Sequence, residues 1–246
     1  MHAQELPPQP QPFEPGNDLH LYLLMGQSNM LGRDTTGLAS QVPDPEVGAL
    51  DGEGRWVVAV EPIGVGGTGF GPGTFFAAAL RKAEPGLRIG LVQCAVGGTP
   101  LSRWVKGADL YENAVKRARI AMRSGTLDGV LWHQGESDSN DPALASTYGE
   151  RLTKMLGDLR ADLGLPRLPI VVGQLGEFVQ EPHVAEVREA IRKMPEALPL
   201  VGYADSRGLG HKGDHLHFNV EAEREMGNRY AEAMRALRRK ADEPAP

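Results

Sequence analysis

Five nearly continuous apolar runs, at 19–25, 88–94, 128–134, 169–175 and 198–205, alternate with amphipathic stretches along the 246-residue chain. No other feature constrains the fold as strongly. Runs such as LHLYLLM and PIVVGQL lack a polar face, as expected for strands that helices cover on both sides. Residues 73–83, 109–124, 142–163, 183–194 and 221–240 carry helical spacing, and Leu152, Met155, Leu156, Leu159 and Leu163 mark one face of the third stretch. The alternation predicts a five-stranded parallel sheet in a three-layer α/β/α sandwich. Right-handed crossovers then place the carboxyl ends of the strands along one edge, where catalytic groups collect. A Gly- and Pro-rich stretch, 31–72, breaks the rhythm and contains RWVVAVEP, read as a small extra strand. Ordered loops of that length are commonly functional.

The first run ends in MGQSNMLG, residues 25–32, which sets Ser28 on a tight turn. Such a serine is either the N-cap of the next helix or a hydroxyl exposed for reaction. The segments after the other runs favour reaction. Gly97-Gly98-Thr99 follows the second run, His133-Gln134-Gly135-Glu136-Ser137-Asp138 straddles the end of the third, and Gln174 to Glu177 closes the fourth. Beyond the fifth, DSRGLGHKGDHLHFN carries Asp214, His215 and His217. These are the parts of a serine hydrolase. A serine hydroxyl attacks well only when a histidine takes its proton, and the histidine needs a carboxylate to fix its tautomer and orientation. Three residues separate Asp214 from His217, which on a tight turn lets carboxylate and imidazole meet. The backbone N–H groups of Ser28 and Gly98 and the side-chain amide of Gln134 would receive the oxyanion. Gln27 and Glu136 stand beside them as supporting groups, with Arg33 and Trp104 as contacts for a sugar.

Other chemistries fit the same residues less well. Gly64, Gly66 and Gly69 have G-x-G-x-x-G spacing, but a dinucleotide loop needs a strand before it and a helix opening within it, whereas Pro72 ends this segment in a turn. His211, Asp214, His215 and His217 could gather on a metal. No further ligand matches the serine motif in strength, so neither a metal nor another cofactor is expected, and His211 and His215 are read as surface or supporting residues. His133 is read as a hydrogen-bonded core histidine. Trp104 reads equally well as packing beneath the Gly-Gly-Thr turn.

Composition removes several function classes. The formal charge of −6 and the lack of a clustered basic face argue against a nucleic-acid partner. RALRRK, 235–240, closes a helical stretch, where cations suit the carboxyl end. No run approaches the roughly 18 apolar residues of a membrane helix. Cys94 is the single cysteine and forms no internal disulfide. The Pro- and Gln-rich start fits the lead of an exported protein, secreted or periplasmic, although the missing disulfides also fit the cytoplasm. The chain divides into a flexible lead over 1–18, one domain over 19–240 and a disordered tail over 241–246.

GQSNMLG, GGT followed by Trp104, WHQGESD and DHLHF together resemble the SGNH hydrolases, and within them the sialate O-acetylesterase-like branch that includes carbohydrate esterase family six, the acetylxylan esterases. The resemblance runs from about residue 20 to 235. It implies a flavodoxin-like three-layer fold and deacetylation without a metal. It implies Ser28 as nucleophile, His217 as base and Asp214 as its partner, with Ser28, Gly98 and Gln134 around the oxyanion. Gln134 stands where the wider family carries an asparagine donor. The expected activity is removal of O-acetyl groups from an acetylated carbohydrate such as xylan. Sialate O-acetylesterase and general short-chain carboxylesterase are the alternatives among enzymes, and an inactive carbohydrate-binding protein is the alternative outside them.

Overall fold

The computed structural model describes residues 8–243. Its strands are β1 (Leu19–Gly26), β2 (Val47–Leu50), β3 (Trp56–Val58), β4 (Ile89–Gln93), β5 (Gly125–His133), β6 (Ile170–Gly173) and β7 (Val201–Ala204). The helices are α1 (Ser28–Leu31), α2 (Pro72–Ala83), α3 (Asp109–Ala121), α4 (Pro142–Ser146), α5 (Tyr148–Leu163), α6 (Val184–Ala197) and α7 (Val220–Asp242). The strands form one sheet in the order β3-β2-β4-β1-β5-β6-β7, parallel except for β3, which runs antiparallel to β2.

Within β1 the apolar run splits by parity, since successive strand side chains point to opposite faces. Leu19, Leu21, Leu23 and Met25 enter the core beneath α3, α5 and α6, whereas Tyr22 and Leu24 enter the one beneath α2 and α7. Both cores are apolar and closed, which accounts for a strand with no polar face.

Seven strands replace the five expected. β3 falls inside RWVVAVEP, but β2 was not anticipated: it spans four residues, one of them Gly48. A Cβ at Gly48 would run into the ring of Phe13. That contact also corrects the reading of 1–18 as a flexible lead. Phe13 is buried and its N–H donates to Trp56 O at 3.2 Å, while Val58 N–H donates to Gln11 O at 2.8 Å, so this part of the lead pairs with the sheet edge. Residues 1–7 of the expected lead and 244–246 of the expected tail lie outside the described residues, and α7 continues to Asp242.

The single helix expected at 142–163 is two, parted at Thr147. Asp141 caps α4 by accepting from Ala143 N–H and Leu144 N–H, and the Thr147 hydroxyl donates to Ala143 O at 2.8 Å, closing that helix before α5 begins. Pro72, expected to end a turn, occupies the first position of α2, where its missing N–H costs no bond. The 31–72 stretch is pinned at its base by Phe70 N–H on Asp34 O, 2.8 Å, and midway by a two-way bond between the Gln41 side chain and the Glu61 backbone, each 2.7 Å.

Candidate active site

β1 delivers its last residue, Gly26, against β5 so closely that a Cβ there would overlap the His133 backbone, and its φ of +129° suits only glycine. The turn this permits puts Ser28 at the first position of α1, with Gln27 as the capping residue. Ser28 is therefore not an N-cap, and its side chain is free for other work. Its Oγ lies 3.0 Å from His217 Nε2, and His217 Nδ1 lies 2.7 Å from Asp214 Oδ2.

The loop after β7 folds so that Asp214 serves twice. Oδ1 accepts from Leu216 N–H at 3.0 Å and His217 N–H at 2.9 Å, while Oδ2 faces the His217 ring. Burial opposes its charge, but the His217 N–H, the His217 ring and the Leu216 N–H hold the carboxyl well below the usual carboxylate range. An ionised Asp214 keeps the ring proton on Nδ1 and leaves Nε2 as the acceptor for the serine hydroxyl. The arrangement can pass the Ser28 proton to His217 and stabilise the imidazolium that results.

Asn29, which the sequence reading left without a role, joins the two halves. Its Nδ2 donates to Glu136 Oε1 at 2.6 Å and Leu216 O at 3.1 Å, and its Oδ1 accepts from Phe218 N–H at 3.1 Å. The nucleophile turn is thereby fixed to the backbone on either side of His217. The signal was present as the Asn following Ser28, but its partners lie far along the chain.

Ser28 opens onto a cleft of about 310 Å³ lined by Gln27, Arg33, Gly98, Glu136 and His217, together with Ser137, Asn140, Glu181 and Leu216, which were not foreseen. Gly98, at φ +69°, stands in the left-handed region.

Two expected contacts are displaced. Gln134 has no exposed surface, and its Nε2 already faces Gln27 Oε1, Thr99 O and Asp138 Oδ2 at 2.8–3.1 Å, while Tyr148 donates to its Oε1. It is saturated and does not line the cleft. Gln27 does: its Oε1 accepts from Gln134 and from the N–H groups of Gly135 and Ser137, and its Nε2 has no protein acceptor among the described residues. Trp104 is fully buried, donates from Nε1 to Thr99 Oγ1 at 3.1 Å and meets Trp132 edge to face, so it offers no face to a sugar.

Arg33 reaches the cleft with Nη1 on Gly32 O and Gly66 O and with no carboxylate partner among the described residues; burial lowers its pKa. His133 is buried, shares a 2.9 Å hydrogen bond with the Tyr230 hydroxyl, and is pushed down to about 3 by burial. Among the described residues no three His, Cys, Asp or Glu side chains gather as for a metal ion.

Glu136 is 2% exposed, with Oε1 on Asn29 and Oε2 unpartnered. Burial pushes its carboxyl up to about 7. The fold thus favours the neutral form, and the stability that Glu136 contributes is complete below the ordinary carboxylate range and is lost as pH rises through about 7. Glu136→Gln keeps an acceptor for Asn29 and cannot ionise. Its melting temperature relative to wild type should rise between pH 5 and pH 8 by at least ~2–4 °C, the scale of 1 kcal/mol in a domain of this size. A gap that stays constant across that range would show that Glu136 does not titrate there.

Comparison with known proteins places these features. A family model described as carbohydrate esterase, sialic acid-specific acetylesterase, matches residues 18–236. The chain is 35% identical over 235 residues to a probable carbohydrate esterase of Arabidopsis thaliana, covering 87% of this chain and 89% of that protein. The crystal structure of that Arabidopsis protein superimposes with a TM-score of 0.81 at 33% identity, covering 89% of this chain and 98% of the other. A carbohydrate acetylesterase from Xanthomonas citri matches with a TM-score of 0.69 at 26% identity, over 90% of this chain and 57% of that one. A lipase/acylhydrolase from Enterococcus faecalis, 12% identical with a TM-score of 0.53 over 90% of this chain and 96% of its own, shares the fold.

Proposed function

The chain belongs to the carbohydrate esterase family of sialic acid-specific acetylesterases, with the α/β fold of the SGNH-like hydrolases, and from that premise we propose that it removes O-acetyl groups from carbohydrate through an acetyl-Ser28 intermediate. The observation that carries this reading is the line of Ser28 Oγ, His217 Nε2, His217 Nδ1 and Asp214 Oδ2, with steps of 3.0 and 2.7 Å.

In the first half-reaction Ser28 Oγ attacks the acetyl carbonyl carbon while its proton passes to His217 Nε2. The tetrahedral oxyanion is received by the N–H groups of Ser28 and Gly98 and by Gln27 Nε2, which takes the place first assigned to Gln134. Gln134 instead holds Gln27 Oε1 and so aims that amide. Collapse breaks the ester C–O bond, and the departing sugar oxygen takes the proton from His217. Water then attacks the acetyl-enzyme, gives a proton to His217, and acetate leaves as Ser28 regains its hydrogen.

Acetylxylan is the substrate proposed first. A specific observation favours a second reading: the guanidinium of Arg33, without a carboxylate partner among the described residues, suits an acidic sugar such as an O-acetylated sialic acid. A fluorophosphonate probe should label the wild type at Ser28, located by peptide mass spectrometry, and acetate should be released from acetylated xylan. Acetate release without labelling at Ser28 would overturn the mechanism. Arg33→Ala should raise KM about tenfold for an acidic acetylated sugar and leave KM for xylan within twofold, if the charge is what Arg33 reads. Equal changes on both substrates would remove the second reading.

A further inference from the structure

We propose that His211 is a positioning residue whose uncharged ring folds the loop bearing Asp214 and His217 into its working shape, an inference that rests on the triad reading above. The loop is closed at its base by backbone pairing: Lys212 N–H donates to His217 O at 3.0 Å, Asn219 N–H donates to Gly210 O at 3.3 Å, and His211 bridges Phe218. Its tip has no such ladder. Gly213 and His215 both take positive φ, +112° and +56°, and a histidine in that region needs its surroundings to hold it there.

What holds it is a side-chain acceptor. His211 Nδ1 receives the N–H of Gly213 at 3.0 Å and the N–H of His215 at 3.3 Å. These two N–H groups flank Asp214. The ring is fixed in turn by Phe178, 5.2 Å between centroids, and by the His215 ring at 4.1 Å. Asp214 Oδ1 does the same for Leu216 and His217, so the loop is wound around two side-chain acceptors in succession. His211 therefore does at this turn what an asparagine or aspartate does in an Asx turn.

An acceptor at Nδ1 requires a bare lone pair, which places the ring proton on Nε2. Protonation at Nδ1 converts the acceptor into a donor facing two donors, and the tip loses its support. His215 lies against the face of the ring; Lys212 and Asp214 belong to the same loop, and Glu177 and Glu181 to the segment that carries Phe178.

The test compares His211→Asn with His211→Ala. Asparagine Oδ1 sits as many bonds from the backbone as histidine Nδ1 and does not titrate, so the acceptor survives without the switch. At pH 8, His211→Asn should keep kcat within about threefold of wild type. His211→Ala should lose about 10- to 100-fold in kcat with KM little changed, its fold verified by circular dichroism. Wild-type kcat in His211→Ala, or equal losses in both variants, would each overturn the proposal. Ser28→Ala measured alongside separates the two levels. Activity surviving there overturns the triad itself, whereas activity lost there but retained in His211→Ala overturns only the role of His211.

Discussion

Ser28→Ala should lower kcat for acetate release by roughly 10⁴- to 10⁶-fold while leaving the melting temperature almost unchanged. The loss is large because no second nucleophile stands in line with His217 Nε2: the Ser28 hydroxyl, 3.0 Å away, is the one partner of that nitrogen among the described residues. The fold is spared because Ser28 is not the helix cap and its Oγ makes no bond among the described residues other than that to His217. Some rate enhancement over water should remain, since the oxyanion donors and the sugar contacts survive the substitution. More than a tenth of wild-type turnover in purified Ser28→Ala, with contaminating esterase excluded, would end the acetyl-serine mechanism.

Asp214→Asn should cost about 10³- to 10⁴-fold in kcat, again with the fold intact. Asparagine Oδ1 can still accept from the Leu216 and His217 N–H groups, so the turn has its acceptor. The other atom changes character. An amide nitrogen facing His217 Nδ1 offers a proton where the carboxylate accepted one, and the ring answers by carrying its hydrogen on Nε2, against the Ser28 hydroxyl. The base is then in the wrong tautomer rather than missing. Because the Asp214 carboxyl is held well below the usual range, its contribution to stability is present above that range and is lost only in strong acid. Near wild-type kcat in this variant would refute the role given to Asp214, whatever Ser28→Ala shows.

The sheet and the cleft were readable to different depths. Nearly continuous apolar segments, broken mainly by Gly and Pro, announced β1, β4, β5, β6 and β7, and β1, β4 and β6 are buried along almost their whole length. β2 was silent: with four residues and a glycine it has no run to show, and it is a strand through its pairing with β3 and β4, with the ring of Phe13 packed where a Gly48 side chain would stand. Ser28, Asp214 and His217 could be picked out because strand ends in a parallel sheet share one edge, and the structure brings these three within hydrogen-bond reach. The two glutamines could not be ranked from sequence. Gln27 and Gln134 both end a strand, and what separates them is that Asp138, Thr99 and Tyr148 together claim the amide of Gln134. Trp104 failed for a related reason, since spacing says nothing about whether an indole lies on or beneath the surface. His211 reads from sequence as a surface or supporting residue and no further, because its partners are backbone N–H groups, which leave no mark in composition.

The Asn29 bonds to Leu216 and Phe218 span 187 and 189 residues. Chain synthesis runs from one end, so the nucleophile turn exists long before the segment that supplies its base. Contacts of such sequence separation close late, after the local helices and the central strands have formed. A nascent chain that has emerged only as far as β7 carries a serine without its base and an Asn29 that has Glu136 but lacks its partners Leu216 O and Phe218 N–H. Ester cleavage is thus withheld from every form that lacks the loop bearing Asp214 and His217, and its appearance reports that the first and last parts of the sheet's active edge have met.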